Sequence, residues 1–274
     1  SASLGVLGLR WSPNTDTFSY NEVEFDLKVT KRSILSNIAR IFDPAGWITG
    51  VVLSAKIIIQ RLWIAGLNWD DKVPEDIAHA WTTIQDQLPL LNTIKIPRLI
   101  CNPDSKELTL IGFSDGSMVG YGATVYIRTK TDLGYQSNLF IAKSKVAPTK
   151  TLTVPRLELC GAQLLAKIMQ VAQNALSCTN YTVTKIIALT DSVTVLSWLT
   201  TPPFKLKTYA ANRVVDTLEK IPAEHWMHVS THDNPADIAS RGILPKELVN
   251  NKMWWSGPNW LQEPINEWKV SSIH

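Results

Sequence analysis

Hydrophobic residues in the first hundred positions recur mainly at helical spacing. A short alternating stretch around the turn at positions 13–16 first predicts a hairpin over residues 6–20. Isoleucines then stand at positions 34, 38 and 41, a spacing that places them on one face of a helix. The same periodicity predicts three helices, over residues 31–42, 50–67 and 74–91. We therefore expect the first hundred residues to be mostly helical.

From about residue 100 the pattern changes to short runs of β-branched and aromatic residues separated by turns. This pattern predicts three strands, over residues 108–114, 121–128 and 135–142. Helix and strand then alternate, with helices predicted over 155–176, 192–199, 209–221 and from 234, and strands over 182–190 and 225–231. The order predicts an α/β fold, with one mixed five-stranded sheet and helices packed against it. Residues 244–274 contain four tryptophans but little periodicity, which indicates a packed tail or a linker.

The composition is that of a globular protein. The chain has 274 residues, 45% of them hydrophobic, and its 27 basic and 24 acidic residues leave a net charge of only +3. Three widely separated cysteines favour neither a disulfide framework nor a cysteine-ligated zinc site, so a reducing compartment is expected. The most apolar stretch, 47–67, is interrupted by Lys56, Gln60 and Arg61, so no membrane span is expected. The N-terminus lacks an initiator Met and a secretory signal pattern, so we expect a piece of a longer chain.

Four acidic residues lie at the ends of predicted core elements. Asp115 follows a buried strand, Glu158 lies in the first turn of a long apolar helix, and Asp191 ends the fourth strand. Asp237 lies at the start of the last short helix. Carboxylates that meet in an apolar setting need a compensating cation, and oxygen-only ligands suit Mg²⁺ or Mn²⁺. Two such ions can activate water and stabilise a leaving oxygen in phosphodiester cleavage.

Each acid also has a simpler interpretation. Asp191 and the segment after Asp115 are both compatible with ordinary turns. Glu158 and Asp237 are compatible with carboxylates that interact with a helix N-terminus. Taken singly, no position is specific.

Basic residues are concentrated before the long helix. Between positions 128 and 156 there are six basic residues and a single acid. A solvated surface and a phosphate-binding face both explain such a run. The candidates for nucleic-acid contact in this stretch are Lys143, Lys145, Lys150 and Arg156.

Several separated motifs together resemble one family. They are Leu7-Gly8-Leu9-Arg10-Trp11, Ile41-Phe42-Asp43-Pro44-Ala45-Gly46, Phe113-Ser114-Asp115-Gly116-Ser117, Pro155-Arg156-Leu157-Glu158-Leu159, Thr190-Asp191-Ser192, Asn212-Arg213-Val214, Asn234-Pro235-Ala236-Asp237-Ile238-Ala239-Ser240-Arg241-Gly242 and Trp254-Trp255-Ser256-Gly257-Pro258. Their order resembles the pol polyprotein of BEL/Pao long-terminal-repeat retrotransposons. The resemblance extends over nearly the whole chain.

The resemblance implies a fold, a domain division and an activity. Residues 1–100 would be a thumb and connection segment of a reverse transcriptase, 101–243 a ribonuclease H-like domain, and 244–274 a tail toward an integrase. It implies cleavage of the RNA strand of RNA–DNA hybrids with two Mg²⁺ or Mn²⁺ ions held by Asp115, Glu158, Asp191 and Asp237. The partners would be the hybrid, an upstream polymerase and a downstream integrase, with a cytoplasmic, virus-like-particle or nuclear location.

Three further residues are weaker candidates under this resemblance. His232, five residues before Asp237, would be the histidine that assists product departure, although the loop is shorter than is usual in such enzymes. Ser117 and Asn212 would contact the duplex backbone.

Two motifs suggest other chemistry. Asn68-Trp69-Asp70-Asp71 contains paired acids like those of polymerases, but its position between two predicted helices favours a capping loop, so this chain is not expected to copy nucleic acid. His225, His228 and His232 stand in a pattern that only weakly indicates zinc.

Two alternative functions remain at this stage. The Pao region carries a historical label as an aspartic peptidase, but Asp115-Gly116-Ser117 has the wrong order, and Asp132-Leu133-Gly134 lacks the hydroxyl residue that this chemistry needs. A host-retained fragment that binds nucleic acid or a partner without catalysis is the other alternative. All four acids are present, which favours the nuclease.

Overall fold

The computed structural model describes residues 4–6 and 8–272, which form two compact units. The first, called here the helical unit, contains the residues through Pro44 together with 48–99 and 242–251. The second, the sheet unit, contains 45–47, 100–241 and the chain from 252 onward. This division differs from the boundaries expected from the sequence, because the 244–274 segment is shared between the units.

The helical unit contains a small antiparallel sheet and four helices. The strands are β1 (Leu4–Val6), β2 (Leu9–Ser12), β3 (Thr17–Tyr20) and β4 (Ile96–Pro97), paired in that order. The predicted hairpin is confirmed by β2 and β3, although position 7 lies outside the described residues. The sequence did not predict β1 and β4, because strands of two or three residues show no periodicity.

The helices of this unit are α1 (Lys31–Ala39), α2 (Thr49–Ile64), α3 (Glu75–Gln87) and α8 (Pro245–Val249). Helix α1 begins at a capping box, in which the side chains of Thr30 and Ser33 each bond the other's backbone N–H. It ends three residues before the predicted position 42. None of the helices within 4–6 and 8–272 combines the length and apolar character needed to cross a membrane.

The sheet unit is built around a six-stranded mixed sheet. Its strands are β5 (Glu107–Gly116), β6 (Gly120–Thr131), β7 (Gly134–Val146), β8 (Thr182–Thr190), β9 (Trp226–Val229) and β10 (Val270–Ser272), in the spatial order β10-β9-β8-β5-β6-β7. Strands β5, β6 and β7 form an antiparallel meander, whereas β8 runs parallel to β5 and to β9. The predicted mixed α/β sheet is confirmed, with one strand more than the five expected. That strand, β10, pairs with β9 and comes from the tail.

The helices of the sheet unit are α4 (Val154–Ser177), α5 (Val193–Thr200), α6 (Thr208–Leu218), α7 (Ala236–Arg241) and α9 (Lys252–Ser256). The long helix α4 packs on β5 and β6 with a fully buried apolar face that includes Leu159, Leu165 and Met169. Burial of this face supplies the main hydrophobic core of the unit. Ser192 caps α5, as predicted, by accepting a hydrogen bond from the backbone N–H of Val195.

The tryptophan-rich tail packs against strands of the sheet. Trp260 lies 6.4 Å from the ring of Phe113 on β5, and 5.3 Å from Trp268. Arg128 on β6, which is 3% exposed, donates to the backbone carbonyls of Leu261 and Glu263, each at 2.6 Å. Arg128 therefore anchors the tail and is not part of a basic surface, contrary to its place in the basic run of the sequence.

Candidate active site

Two of the four acids meet because two parallel strands end together. Asp115 lies at the carboxyl end of β5, and Asp191 directly follows β8. Ser114 and Thr190, the residues before these acids, are paired in the sheet register. The pairing places Asp115 and Asp191 at the same edge of the sheet.

Close packing of α4 on the end of β5 brings Glu158 to this edge. A Cβ added at Gly116 would lie 2.3 Å from the backbone nitrogen of Glu158, and one added at Gly161 would lie 2.4 Å from the carbonyl oxygen of Asp115. No side chain larger than hydrogen fits at either position without displacing backbone. The sequence analysis did not identify Gly116 and Gly161 as residues that build the site, because only the helix crossing reveals their role.

Helix α7 carries the fourth acid, Asp237, and also packs closely against a strand at a glycine. A Cβ at Gly122 on β6 would lie 2.5 Å from the Cβ of Ala239. Asn234 precedes the helix and accepts from the N–H of Ala236 at 3.1 Å, as the predicted cap requires. Asp237 therefore stands in the first turn of α7, on a helix packed against β5 and β6.

Serine hydroxyls hold the two acids that are most affected by burial. Ser240 on α7, itself fully buried, donates to Asp115. Ser192 donates to Oε2 of Glu158 at 2.5 Å. Ser192, which caps α5, therefore also orients the carboxylate of Glu158.

The other two acids are held by an amide and a guanidinium. Nδ2 of Asn234 donates to Oδ1 of Asp191 at 3.3 Å and to the carbonyl of Ser114 at 3.0 Å. Nε of Arg241 donates to Oδ1 of Asp237 at 2.6 Å. Each of the four carboxylates thus accepts a hydrogen bond from a side chain, and none of these four side chains was predicted to hold an acid.

The carboxylates also affect one another's ionisation. Burial raises the pKa of Asp115 to about 7, and the negative charges of Asp191 and Asp237 act in the same direction, while the hydrogen bonds from Ser240 and the Gly116 backbone oppose it. Burial likewise raises the pKa of Glu158, with a further contribution from Asp191 and opposition from Ser192. Such mutual effects require the acids to be close together, and a cation would favour their charged forms.

The donor set fits divalent metal in its chemistry. Four carboxylates at one sheet edge offer only oxygen ligands, which Mg²⁺ and Mn²⁺ prefer. With the side chains held by their present donors, no three Asp, Glu, His or Cys residues in the described chain form a group placed to hold an ion. The assignment of Asp115, Glu158, Asp191 and Asp237 as metal ligands therefore stays a prediction.

The smaller candidates are placed as follows. His232 is exposed on the 3₁₀ turn Thr231–Asp233, after β9 and before α7. Ser117 is 6% exposed, and its hydroxyl donates to the carbonyl of Ser240 at 2.7 Å. This bond gives Ser117 a structural role at the turn between β5 and β6, and its contact with the duplex stays a prediction.

The predicted basic contacts differ in accessibility. Lys143, Lys145 and Lys150 are exposed, as is Asn212 on α6. Arg156, in the first turn of α4, is half-buried, and its guanidinium carbon lies 4.9 Å from the ring centre of Tyr209. These positions leave the lysines and Asn212 available to a ligand.

The two acids of the Asn68-Trp69-Asp70-Asp71 motif serve structural roles. Asp71 accepts from the backbone N–H of Asn68 at 2.8 Å, which confirms the predicted capping loop. Asp70 forms a two-point ion pair with Arg32, with both distances 3.0 Å. His225 contacts the carbonyl of Ile186 at 2.8 Å.

Comparison with known proteins places the chain in a family. Residues 30–192 match the model of the Pao retrotransposon-like RNaseH-like domain. No curated protein matches the chain significantly.

Similar solved structures include the N-terminal RNase H domain of rv2228c from Mycobacterium tuberculosis, with 12% identity over 50% of this chain and 91% of that one, at a TM-score of 0.33. LC11-RNase H1 from compost has 18% identity over 52% of this chain and 93% of that one, with a TM-score of 0.28. Prototype foamy virus protease-reverse transcriptase has 14% identity over 77% of this chain but only 35% of that one, with a TM-score of 0.31. Because the family model matches more than half of its residues, the chain belongs to the Pao retrotransposon-like RNaseH-like domain family.

Proposed function

We propose that this chain hydrolyses the RNA strand of RNA–DNA hybrids with divalent metal, as the ribonuclease H part of a retrotransposon reverse transcriptase. The observation that carries the proposal is the convergence of Asp115, Glu158, Asp191 and Asp237 at one edge of the sheet, where their charges interact. Membership in a retrotransposon RNaseH-like family supports the substrate class. It also supports a polyprotein context, with a polymerase upstream and an integrase downstream. The location that we propose is the cytoplasm, a virus-like particle or the nucleus.

The acids would hold two ions, one at Asp115, Glu158 and Asp191 and the other shared by Asp115 and Asp237. Bound Mg²⁺ or Mn²⁺ would supply an activated water and would stabilise the charge of the leaving oxygen. The role of the chain is to orient the ligands. Ser240 donates to Oδ2 of Asp115, and Ser192 donates to Oε2 of Glu158, which restricts the rotation of both acids.

Two other donors restrict the remaining acids. Asn234 ties Asp191 to the β5 backbone, and Arg241 balances part of the charge on Asp237. Preorganised ligands lose less freedom when the site is loaded. Selection of a hybrid over other duplexes would come from contacts to 2′-hydroxyls across the shallow minor groove.

The test is cleavage of a labelled RNA–DNA hybrid by wild type, Asp191→Asn and the control Asp132→Asn, in Mg²⁺, Mn²⁺ or chelator. Asp132 is exposed on the turn between β6 and β7, so its variant makes the same chemical change away from the acids. We expect Asp191→Asn to lower the rate at least about 100-fold. We expect the control to retain the wild-type rate and the chelator to stop cleavage.

A melting experiment separates metal binding from activity. In chelator, Asp191→Asn should melt at or above the wild-type temperature, because it removes a charge that opposes ionisation of Asp115 and Glu158. Mn²⁺ should raise the melting temperature of wild type but not of the variant. Wild-type cleavage by Asp191→Asn would refute the site, and hybrid binding without cleavage by wild type would favour a non-enzymatic fragment.

A further inference from the structure

The four side chains that hold the candidate acids differ in their exposure to solvent. Ser240 and Asn234 are fully buried, and Ser192 is 5% exposed. In contrast, the side chain of Arg241 is 62% exposed, and that of its partner Asp237 is 36% exposed. Side chains in a close-packed interior cannot move without displacing their neighbours. Arg241 is therefore the donor that can leave its acid while the interior stays in place.

The Arg241 guanidinium interacts with more than one of the acids. Its Nε donates to Oδ1 of Asp237 at 2.6 Å, one helical turn earlier on α7. This hydrogen bond and the charge of Asp237 raise the pKa of Arg241, burial opposes the shift, and the charges of Asp115 and Asp191 add to it. Among residues 4–6 and 8–272, no other cation forms an ion pair with any of the four acids. Arg241 is thus the counter-charge of the site.

Metal loading requires at least one of the acids to move. In their present positions, no three Asp, Glu, His or Cys side chains of the described chain form a group placed to hold an ion. Asp237 is the acid whose side-chain donor is exposed, so its carboxylate is the easiest to release. A divalent ion carries twice the charge of a guanidinium and approaches carboxylate oxygens more closely, to about 2.1 Å for Mg²⁺. Such an ion can therefore replace Arg241 as the partner of Asp237.

We infer that Arg241 is an exchangeable counter-cation, which holds Asp237 while no metal is bound and releases it when a divalent ion binds. Without metal, its charge offsets the repulsion among the carboxylates. During loading, it competes with the incoming ion for the Asp237 carboxylate. Because Arg241 acts through Asp237, it is a positioning residue. The inference rests on the proposed function only in taking Asp237 as a metal ligand.

The experiment measures metal binding in the absence of nucleic acid. Mn²⁺ is titrated into the whole chain by calorimetry, and melting temperatures are recorded in chelator and in Mn²⁺. Arg241→Gln removes the charge, whereas Arg241→Lys keeps it. Asp237→Asn, alone and combined with Arg241→Gln, completes a double-mutant cycle. The control Lys185→Ala removes one exposed positive charge near the start of β8, at the opposite end of that strand from Asp191.

We expect Arg241→Gln to change stability and metal affinity in opposite directions. Its melting temperature in chelator should fall by about 1 to 4 °C, because the acids lose their counter-charge. Its affinity for Mn²⁺ should rise about 3- to 10-fold, because the competitor is gone. Arg241→Lys should remain close to wild type in both measurements. In the Asp237→Asn background, Arg241→Gln should change the Mn²⁺ affinity no more than Lys185→Ala changes it in wild type, because competition requires the carboxylate.

Three results would overturn the inference. One is an Mn²⁺ affinity of Arg241→Gln that is equal to or weaker than that of wild type, which would give Arg241 a structural role alone. Another is an equal gain in affinity in the Asp237→Asn background, which would mean that Arg241 acts only through overall charge. The third is a lack of Mn²⁺ binding by both wild type and Arg241→Gln. A wild type that binds Mn²⁺ as expected but does not cleave the hybrid would refute the proposed function and leave the exchange at Asp237 standing.

Discussion

Gly161→Ala provides a direct test of how the candidate site is assembled. In an exposed helix this change is favourable, by roughly 1 kcal/mol, because alanine has the higher helix propensity. In α4 the new Cβ would lie 2.4 Å from the carbonyl oxygen of Asp115 and 3.1 Å from its carbonyl carbon. Both atoms are backbone of the central strand β5, so they cannot rotate away. We therefore expect the sign of the effect to reverse.

The size of the effect follows from the displacement needed. The helix must retreat until the contact lengthens from 2.4 Å to at least 3.0 Å, a shift of about 0.6 Å, which weakens contacts along its whole buried face. Overpacking of this kind costs about 3 kcal/mol at the upper end of the usual range. After the gain in helix propensity, a net loss of about 2 kcal/mol in the free energy of unfolding remains. This corresponds to a fall in melting temperature of about 4 to 8 °C.

Urea unfolding and hybrid cleavage measure the two consequences. The same shift moves Glu158 away from Asp115, so we expect the cleavage rate of the folded variant to fall by about 10- to 100-fold. Gly5→Ala is the control, because an added Cβ there meets nothing within 4 Å. A Gly161→Ala protein as stable and as active as wild type would refute the argument that glycine is needed for this helix crossing.

Three other outcomes are expected. Asp115 has a pKa of about 7 in the folded protein against 3.8 for an ordinary aspartate, so the stability of the protein in chelator should fall as pH rises between these values. Asp115→Asn should remove this part of the pH dependence of the melting temperature. Parallel curves of melting temperature against pH for wild type and variant would contradict this. Trp260→Ala should cost about 3 to 5 kcal/mol in urea unfolding, whereas Leu133→Ala, at a fully exposed position, should change stability by less than about 0.5 kcal/mol; equal effects would mean that the tail does not support the sheet. If the His232 imidazole protonates the leaving oxygen, His232→Ala should lower turnover about 100-fold and leave hybrid affinity unchanged. A variant that keeps the wild-type turnover across about pH 6 to 9 would show that His232 is only a surface residue.

Local sequence patterns determined most of the secondary structure. The strand over 182–190 agrees with β8 in both bounds, and the long helix predicted over 155–176 differs from α4 by one residue at each end. Such elements are long and bury a continuous apolar face, so their periodicity is strong. The strands β1, β4 and β10 are short and were missed, because pairing with distant segments, which local patterns do not record, defines them.

The sequence by itself also determined which acids to consider, since Asp115, Glu158, Asp191 and Asp237 each stand at the end of a recognisable element. Only the tertiary structure decided how they are held. Ser240 reaches Asp115 across 125 positions of chain, and Asn234 joins Asp191 to the backbone of β5. Arg128 belongs to the basic run of the sequence, yet the folded tail covers it. These contacts depend on helix crossings and strand order, which are set by packing over the whole sheet, whereas the ends of strands and helices are set by neighbouring residues.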